Sequence, residues 1–458
     1  MLDELLQRFS EKAPATVMFR SLFSRLFSAD GLNKLFSENR QKQFESAIPF
    51  SYLVHLLTPV VAGSRSSVNS SYLANRCEQS SQAVYDKLRK VEPSVSAALV
   101  CHSAKLLQEV LDKTKLQHCD ILPNYHVFVL DGKTYDATEH RIEETRNDAR
   151  APLPGRAVAV FDTRYRLFTD IECSLNAHQC ERKIVEPILE RLLPGAVYLA
   201  DRNFCDGKIL FHFFDKASYF VIRQHGASPS CRKTAETSEQ KSQTDPDGNS
   251  VSECAIEIRL SDDSWQKVRQ ICVELGTPTR NGDKVVHILS NLPPKVSAVE
   301  IARAYKGRWK IEACLGHLAQ ALNAEIKTLC YPKAAGFCFS IALLLHNIMS
   351  TIRSLLEKHA QLPEKEKAKG REVSFYYLAQ DIAENQGGME IVFNAGYWKK
   401  HAKMTLAEYA KLLISIASKA SLLRYRKNTR GPKKKPPGKR KFNGTRHVAV
   451  QKLLEQRK

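Results

Sequence analysis

The chain has twelve cysteines, yet no two of them form a CxxC pair and their spacing is irregular. Close pairs are what a structural zinc site needs, and disulfide frameworks belong to small secreted domains rather than to a chain of 458 residues. Among fourteen histidines there is no HxH and no HExxH, which excludes the common zinc-hydrolase arrangements. Long apolar runs are also missing. The longest, "AIPFSYLVHLLTPVVAG" from Ala47, falls short of a bilayer span and carries His55 and Pro59. The opening "MLDELLQRFSEK" is amphipathic and lacks the basic start and apolar run of a signal peptide. No internal repeat is visible. These absences predict a reduced, soluble, cytoplasmic protein without a membrane partner.

What the chain does have is positive charge. Sixty-nine Lys and Arg against forty-nine Asp and Glu leave +20 at pH 7, which favours a polyanionic partner, nucleic acid or an anionic membrane. From Arg424 to Arg446, "RYRKNTRGPKKKPPGKRKFNGTR" holds eleven basic residues and no acidic one. It reads as a solvated tail or as a nucleic-acid arm with salt-sensitive phosphate contacts, with Lys433, Lys434, Lys435 and Arg440 as candidates.

The length predicts two or three domains. Residues 1–118 show apolar positions at helical spacing throughout and no alternating run. Within them, "SSYLANRCEQSSQAVYDKLRKV" (Ser70 to Val91) reads as two short helices joined at "CEQSS", with Ser80 or Ser81 capping the second. This is either a plain helical hairpin or a helix-turn-helix with Arg76, Lys87, Arg89 and Lys90 near DNA. From Tyr125 the texture changes. "YHVFVLD", a hairpin in "AVAVFDTRYRLFTDIEC", a helix in "ERKIVEPILERLLP", "AVYLAD", the helix "GKILFHFFDKA" and the strand "SYFVIRQH" follow one another, the alternation of an α/β sheet. A polar stretch starting at Gly226 then leads into "CAIEIRL", "QKVRQICVEL" and "KVVHILSNL", an inserted β unit. "AYKGRWKIEACLGHLA" (Ala304 to Ala319) reads as a helix, and "GFCFSIALLLHNIMSTIRSLLEK" as a buried one.

Three acids stand out. Asp131 and Asp201 each close an apolar strand, where an open α/β sheet borders its ligand crevice, although Asp-Gly and Asp-Arg suit turns as well. Glu312 lies on the later helix, sharing a stripe with Tyr305 and Arg308; alone, that stripe is a solvated face or a phosphate-handling edge. Taken together, three carboxylates are the hard oxygen ligands that two divalent ions need for phosphodiester chemistry. Asp131 would bridge the ions, Asp201 and Glu312 would hold one each, and the planar fork of Arg308 suits a phosphate. Trp309 reads as a core anchor, and Lys306 as solvated.

These residues resemble the DDE transposases of bacterial insertion sequences, in the group with a Y-x2-R-x3-E-x6-K signature. Tyr305, Arg308 and Glu312 fit that signature. "DGKTYDATEHR" from Asp131 resembles the family's first aspartate segment. "LADRNFCDGKILF" resembles the second, including Arg202 and the aromatic after the acid. The resemblance runs over most of the chain and is firmest over 125–350. It implies a ribonuclease H-like core that binds two magnesium ions, or manganese in their place, at Asp131, Asp201 and Glu312. It also implies phosphate contacts from Tyr305, Arg308 and Arg202, and a homodimer acting on the element's inverted repeats and on target DNA at the bacterial nucleoid. The expected fold class is α/β. A helical DNA-end-binding domain (1–118) precedes the core (119–225 and 298–358), which is split by a β-rich insertion (226–297). A helical region (359–423) and the basic tail (424–458) follow. The signature's last lysine is replaced by Ala319, and Trp265 is the insertion's sole tryptophan. Ala319 keeps open a catalytically silent DNA-binding repressor; a nuclease that cuts without rejoining is the third reading.

Overall fold

The computed structural model describes residues 4–75, 77–116, 121–233, 242–279, 282–428 and 446–457. Seven helices come first: α1 (Glu4–Lys12), α2 (Pro14–Leu26), α3 (Ala29–Asn39), α4 (Phe50–Val61), α5 (Val68–Ala74), α6 (Ser81–Leu88) and α7 (Pro93–Lys113). α5 and α6 are the helical pair expected from the spacing, and the Ser80 side chain caps α6 by accepting from the Ala83 N–H. Lys87 is not at the DNA's disposal. It is buried and donates to the Phe44 carbonyl at 3.0 Å, because its long stem packs inward over the Phe36 ring. Arg76 lies outside the described residues.

The sheet begins with β1 (Val127–Thr134). After α8 (Glu143–Arg146) come β2 (Ala151–Leu153), β3 (Arg156–Asp162) and β4 (Leu167–Ser174), then α9 (Glu181–Ile184), α10 (Glu186–Leu189) and β5 (Val197–Ala200). The segment expected as one helix, "ERKIVEPILERLLP", is thus two single turns. Pro187 sits at the start of the second, where its missing N–H costs nothing. α11 (Gly207–Asp215) and β6 (Tyr219–Arg223) follow, then β7 (Cys231–Lys233), β8 (Gln243–Thr244), β9 (Ser250–Arg259), β10 (Trp265–Glu274) and β11 (Val285–Ser290).

Among the described residues these strands, β2 excepted, form one sheet in the order β4-β3-β1-β5-β6-β11-β10-β9-β7, with β8 also on β9. β1, β5 and β6 are parallel, while β3, β4 and β11 run against their neighbours. The strands of the insertion therefore extend the core sheet through the β6–β11 pairing rather than standing apart from it. The two faces of β1 go to different cores: Val127 and Val129 join the large helical core, Phe128 and Leu130 the smaller one formed with α9, α10 and α11.

Then come α12 (Ala298–Lys306), α13 (Trp309–Ala321), α14 (Pro332–His359), α15 (Phe375–Val392), α16 (Ala395–Lys403) and α17 (Leu406–Lys419). At the end, β12 (His447–Ala449) pairs with β2 and leads into α18 (Val450–Glu455). α14 is long and apolar enough to cross a membrane, but 94% of its most apolar window is buried inside the protein. It packs against α2, α4, α7, α15, α17 and β4, as a helix apolar over most of its surface must.

One polar residue of α14 serves the sheet. The β3–β4 register shifts at Val160/Phe161. Beside this bulge the fully buried Asn347 accepts from the Phe168 N–H at 2.7 Å and donates to the Phe168 carbonyl at 2.8 Å. Replacing Asn347 with Leu keeps the volume but strands both backbone groups away from water. It should lower unfolding free energy by about 2–4 kcal/mol, read from urea denaturation midpoints; an unchanged midpoint would show that the clamp is dispensable.

Candidate active site

β1 and β5 are parallel neighbours, paired as far as Val129 opposite Leu199. Two residues further on, in the same register, stand Asp131 and Asp201. β1 does not stop at Asp131: it continues to Thr134, with Asp131 opposite Ala159 of β3. The Asp-Gly is therefore mid-strand on one side and free on the other, where the pairing with β5 has ended. Asp201 turns the chain after β5; its Oδ1 accepts from the Asn203 N–H at 2.8 Å and caps the short 3-10 turn Arg202–Phe204. Arg202 is exposed on that turn.

Glu312 approaches from α13. The helix expected over 304–319 is two helices meeting at Gly307–Arg308, where the Gly307 and Arg308 N–H groups bond three residues back, to Ala304 and Tyr305. Gly307 permits this turn because a Cβ there would lie 2.9 Å from both the Ala304 carbonyl and Ile121 Cδ1. Tyr305 lies in the last turn of α12, half-buried, while Arg308 immediately precedes α13, buried beside the Tyr305 ring.

Arg308 joins the acids. Its Nη2 is 2.8 Å from Glu312 Oε1, its Nη1 is 4.0 Å from Asp131 Oδ2, and its guanidinium lies 5.8 Å from the Tyr305 ring centre. Burial works against the Arg308 charge, yet Tyr305, Glu312 and Asp131 together raise its pKa. Burial also pushes the Asp131 carboxyl up to about 7; Arg308 pulls it down, while Asp201 and Glu312 push it further up. Tyr305 is raised as well, chiefly by burial, against the pull of Arg308. The result is a partly dry, negatively charged crevice.

Some neighbours were not legible beforehand. A Cβ on Gly132 would fall 2.1 Å from Glu181 Oε1, so the glycine makes room for that side chain. Glu181 in turn pairs with Arg156 and accepts from Asn203 Nδ2 at 3.3 Å. Arg182 donates to the Asn203 carbonyl at 2.8 Å and to Asp206 at 2.9 Å, fixing the Asp201 turn from below. The acid-glycine pair at 131–132 was the sequence signal, read as a strand end at a ligand crevice or as a turn; the strand runs through it instead.

Residues 123–348 match the family described as the transposase DDE domain. The chain carries a transposase DDE domain. No curated protein matches it. With the domain come transposase function as a class, DNA as substrate and the general use of divalent metal ions.

Other placements differ from expectation or lie beyond view. Trp309 is 65% exposed rather than a core anchor, since the break at Gly307–Arg308 turns it outward. Lys306 makes an ion pair with Asp247 at 2.5 Å. Trp265 has the Arg232 guanidinium over its ring at 4.1 Å. Ala319 is exposed on α13. Lys433, Lys434, Lys435 and Arg440 lie outside the described residues.

The raised Asp131 carboxyl gives a signed expectation for the metal-free protein. Folded, it keeps a proton that the unfolded chain has released above its ordinary value, so its stabilising contribution is complete below about pH 4 and lost as pH rises to about 7. The loss reaches at most about 4 kcal/mol. In chelator, Asp131→Asn should match wild type at the acid end and exceed it in thermal stability near pH 8; parallel pH curves for the two proteins would contradict this.

Proposed function

We propose that this transposase binds the terminal inverted repeats of its insertion sequence, cleaves there, and joins the freed 3′-hydroxyls to target DNA. The observation that carries the reading is a half-buried Asp131 whose carboxyl is pushed up first by burial and further by Asp201 and Glu312, and only partly offset by Arg308. A set of hard oxygen donors with uncompensated negative charge fits divalent magnesium, with manganese as a substitute. The strand order β4-β3-β1-β5-β6, with only β3 reversed among its three central strands, supports a ribonuclease H-like core. When bound, two metal ions would activate the attacking oxygen and stabilise the leaving one.

The protein's own part is to hold and orient. Asp131 on β1, Asp201 at the turn after β5 and Glu312 on α13 would hold the ions between them. Arg308 partly offsets the charge of Asp131 and Glu312 in the metal-free chain and would offer its fork to a phosphate oxygen once they are otherwise satisfied. Tyr305 covers Arg308, and exposed Arg202, next to Asp201, would reach a DNA phosphate. Trp309, exposed and next to Arg308 in the chain, would be available to stack on a base. Of the basic tail, Arg424, Arg426 and Lys427 are taken up by Asp381, Glu366 and Glu372; its other basic residues would supply general phosphate affinity. Acting as a homodimer on paired ends would place the protein at the nucleoid, in the cytoplasm.

Asp131→Asn, Asp201→Asn and Glu312→Gln should each abolish magnesium-dependent cleavage of element-end DNA while retaining binding. Cleavage by a variant at the wild-type rate would remove that residue from the assignment. Exposed Ala319 favours a second reading, a repressor that binds ends without cutting; wild-type binding with no cleavage in magnesium or manganese would establish it. Ala319→Lys should tighten end binding roughly five- to tenfold, about 1 kcal/mol, and steepen its salt dependence by about one ion. An unaltered salt slope would mean that the position does not face DNA.

A further inference from the structure

Cys314, His317 and His346 offer one sulfur and two imidazole nitrogens, all within 4.8 Å of one another. Cys314 and His317 are three residues apart on α13 and so share a face. His346 comes from the middle of α14, 2% exposed, and its Nδ1 is buried with no hydrogen-bond partner among the described residues. Cys314 and His317 are half-buried, so the cluster can be reached from solvent. The His317 and His346 rings both stack on Phe375 at the start of α15, at 5.1 and 4.8 Å between centres. That packing fixes the imidazoles but does not give the His346 nitrogen a partner.

We propose that these three side chains bind a zinc ion, distinct from the ions at the carboxylates. Sulfur with nitrogen is a borderline-soft donor set that suits zinc and is poor for magnesium. Ligand atoms around tetrahedral zinc stand roughly 3.5 Å apart, so the three would close inward by about 1 Å and leave a fourth position for water. The ion staples α13 to α14. Because Glu312 precedes Cys314 by two residues on α13, zinc acts as a positioning element for the acid and not as a reactant.

The test uses the full chain, stripped with chelator and then given zinc alone or cobalt alone. Wild type should take up one zinc resistant to excess magnesium, gain thermal stability, and with cobalt show a thiolate-to-metal absorption band. Cys314→Ser, and separately His317→Gln, should remove the band and one equivalent of zinc while circular dichroism stays native. Asp131→Asn should keep both. A missing band, a band unaffected by Cys314→Ser, or zinc uptake abolished by Asp131→Asn would each overturn the site. Since neither readout depends on DNA cleavage, failure here is separate from failure of the transposase reading.

Discussion

The fold is organised by one demand: α14 is apolar over most of its surface and must be enclosed. Helices from before the sheet (α2, α4, α7), strand β4, and helices from after it (α15, α17) all meet on this one rod. Segments some three hundred residues apart in sequence therefore share a single apolar core. The carboxylate crevice is mounted on that core, since α13 lies between β1, α14 and α15. Hydrophobic enclosure sets where Glu312 can be; the sheet sets where Asp131 and Asp201 can be.

Against that apolar background the crevice is a concentration of opposed charge. Three acids approach one another and a single guanidinium holds two of them. In water such a set would be tolerable, but Asp131 has lost most of its hydration. The free energy forgone in folding this arrangement is recoverable by any ligand that brings positive charge, which is the usual signature of a site shaped for binding rather than for stability.

Much of this was readable in one dimension. Short β-rich runs before Asp131 and Asp201, the hairpin around Asp162–Leu167 and the long buried helix follow from period and composition, and the structure has them. What misled was local logic that tertiary contacts override. Asp-Gly suggested a strand end or a turn, but pairing with β3 carries the strand through it. Trp309 reads as a core anchor on one helix over 304–319; two residues of tighter winding at Gly307–Arg308 break that helix, and Trp309 stands in solvent. Basic charge at Lys87, Arg89 and Lys90 left a DNA-facing helix open beside a plain hairpin, yet Lys87 found a carbonyl and an aromatic ring inside the protein. Glu181 and Asn203 were invisible because their relation to Gly132 and Asp201 exists only in three dimensions.

The join between β6 and β11 has a mechanical side. A β-ladder resists shear between its strands, so the pairs β9–β10, β10–β11 and β11–β6 make the insertion a stiff outrigger rather than a hinged flap. Its outer turn is also moored to the far end of α12 through Asp247 and Lys306. Any load on that outrigger is carried along the ladder to β6 and β5, the strand that leads into Asp201, and along α12 towards Arg308. Strain applied more than one strand away thus arrives at both walls of the crevice at once.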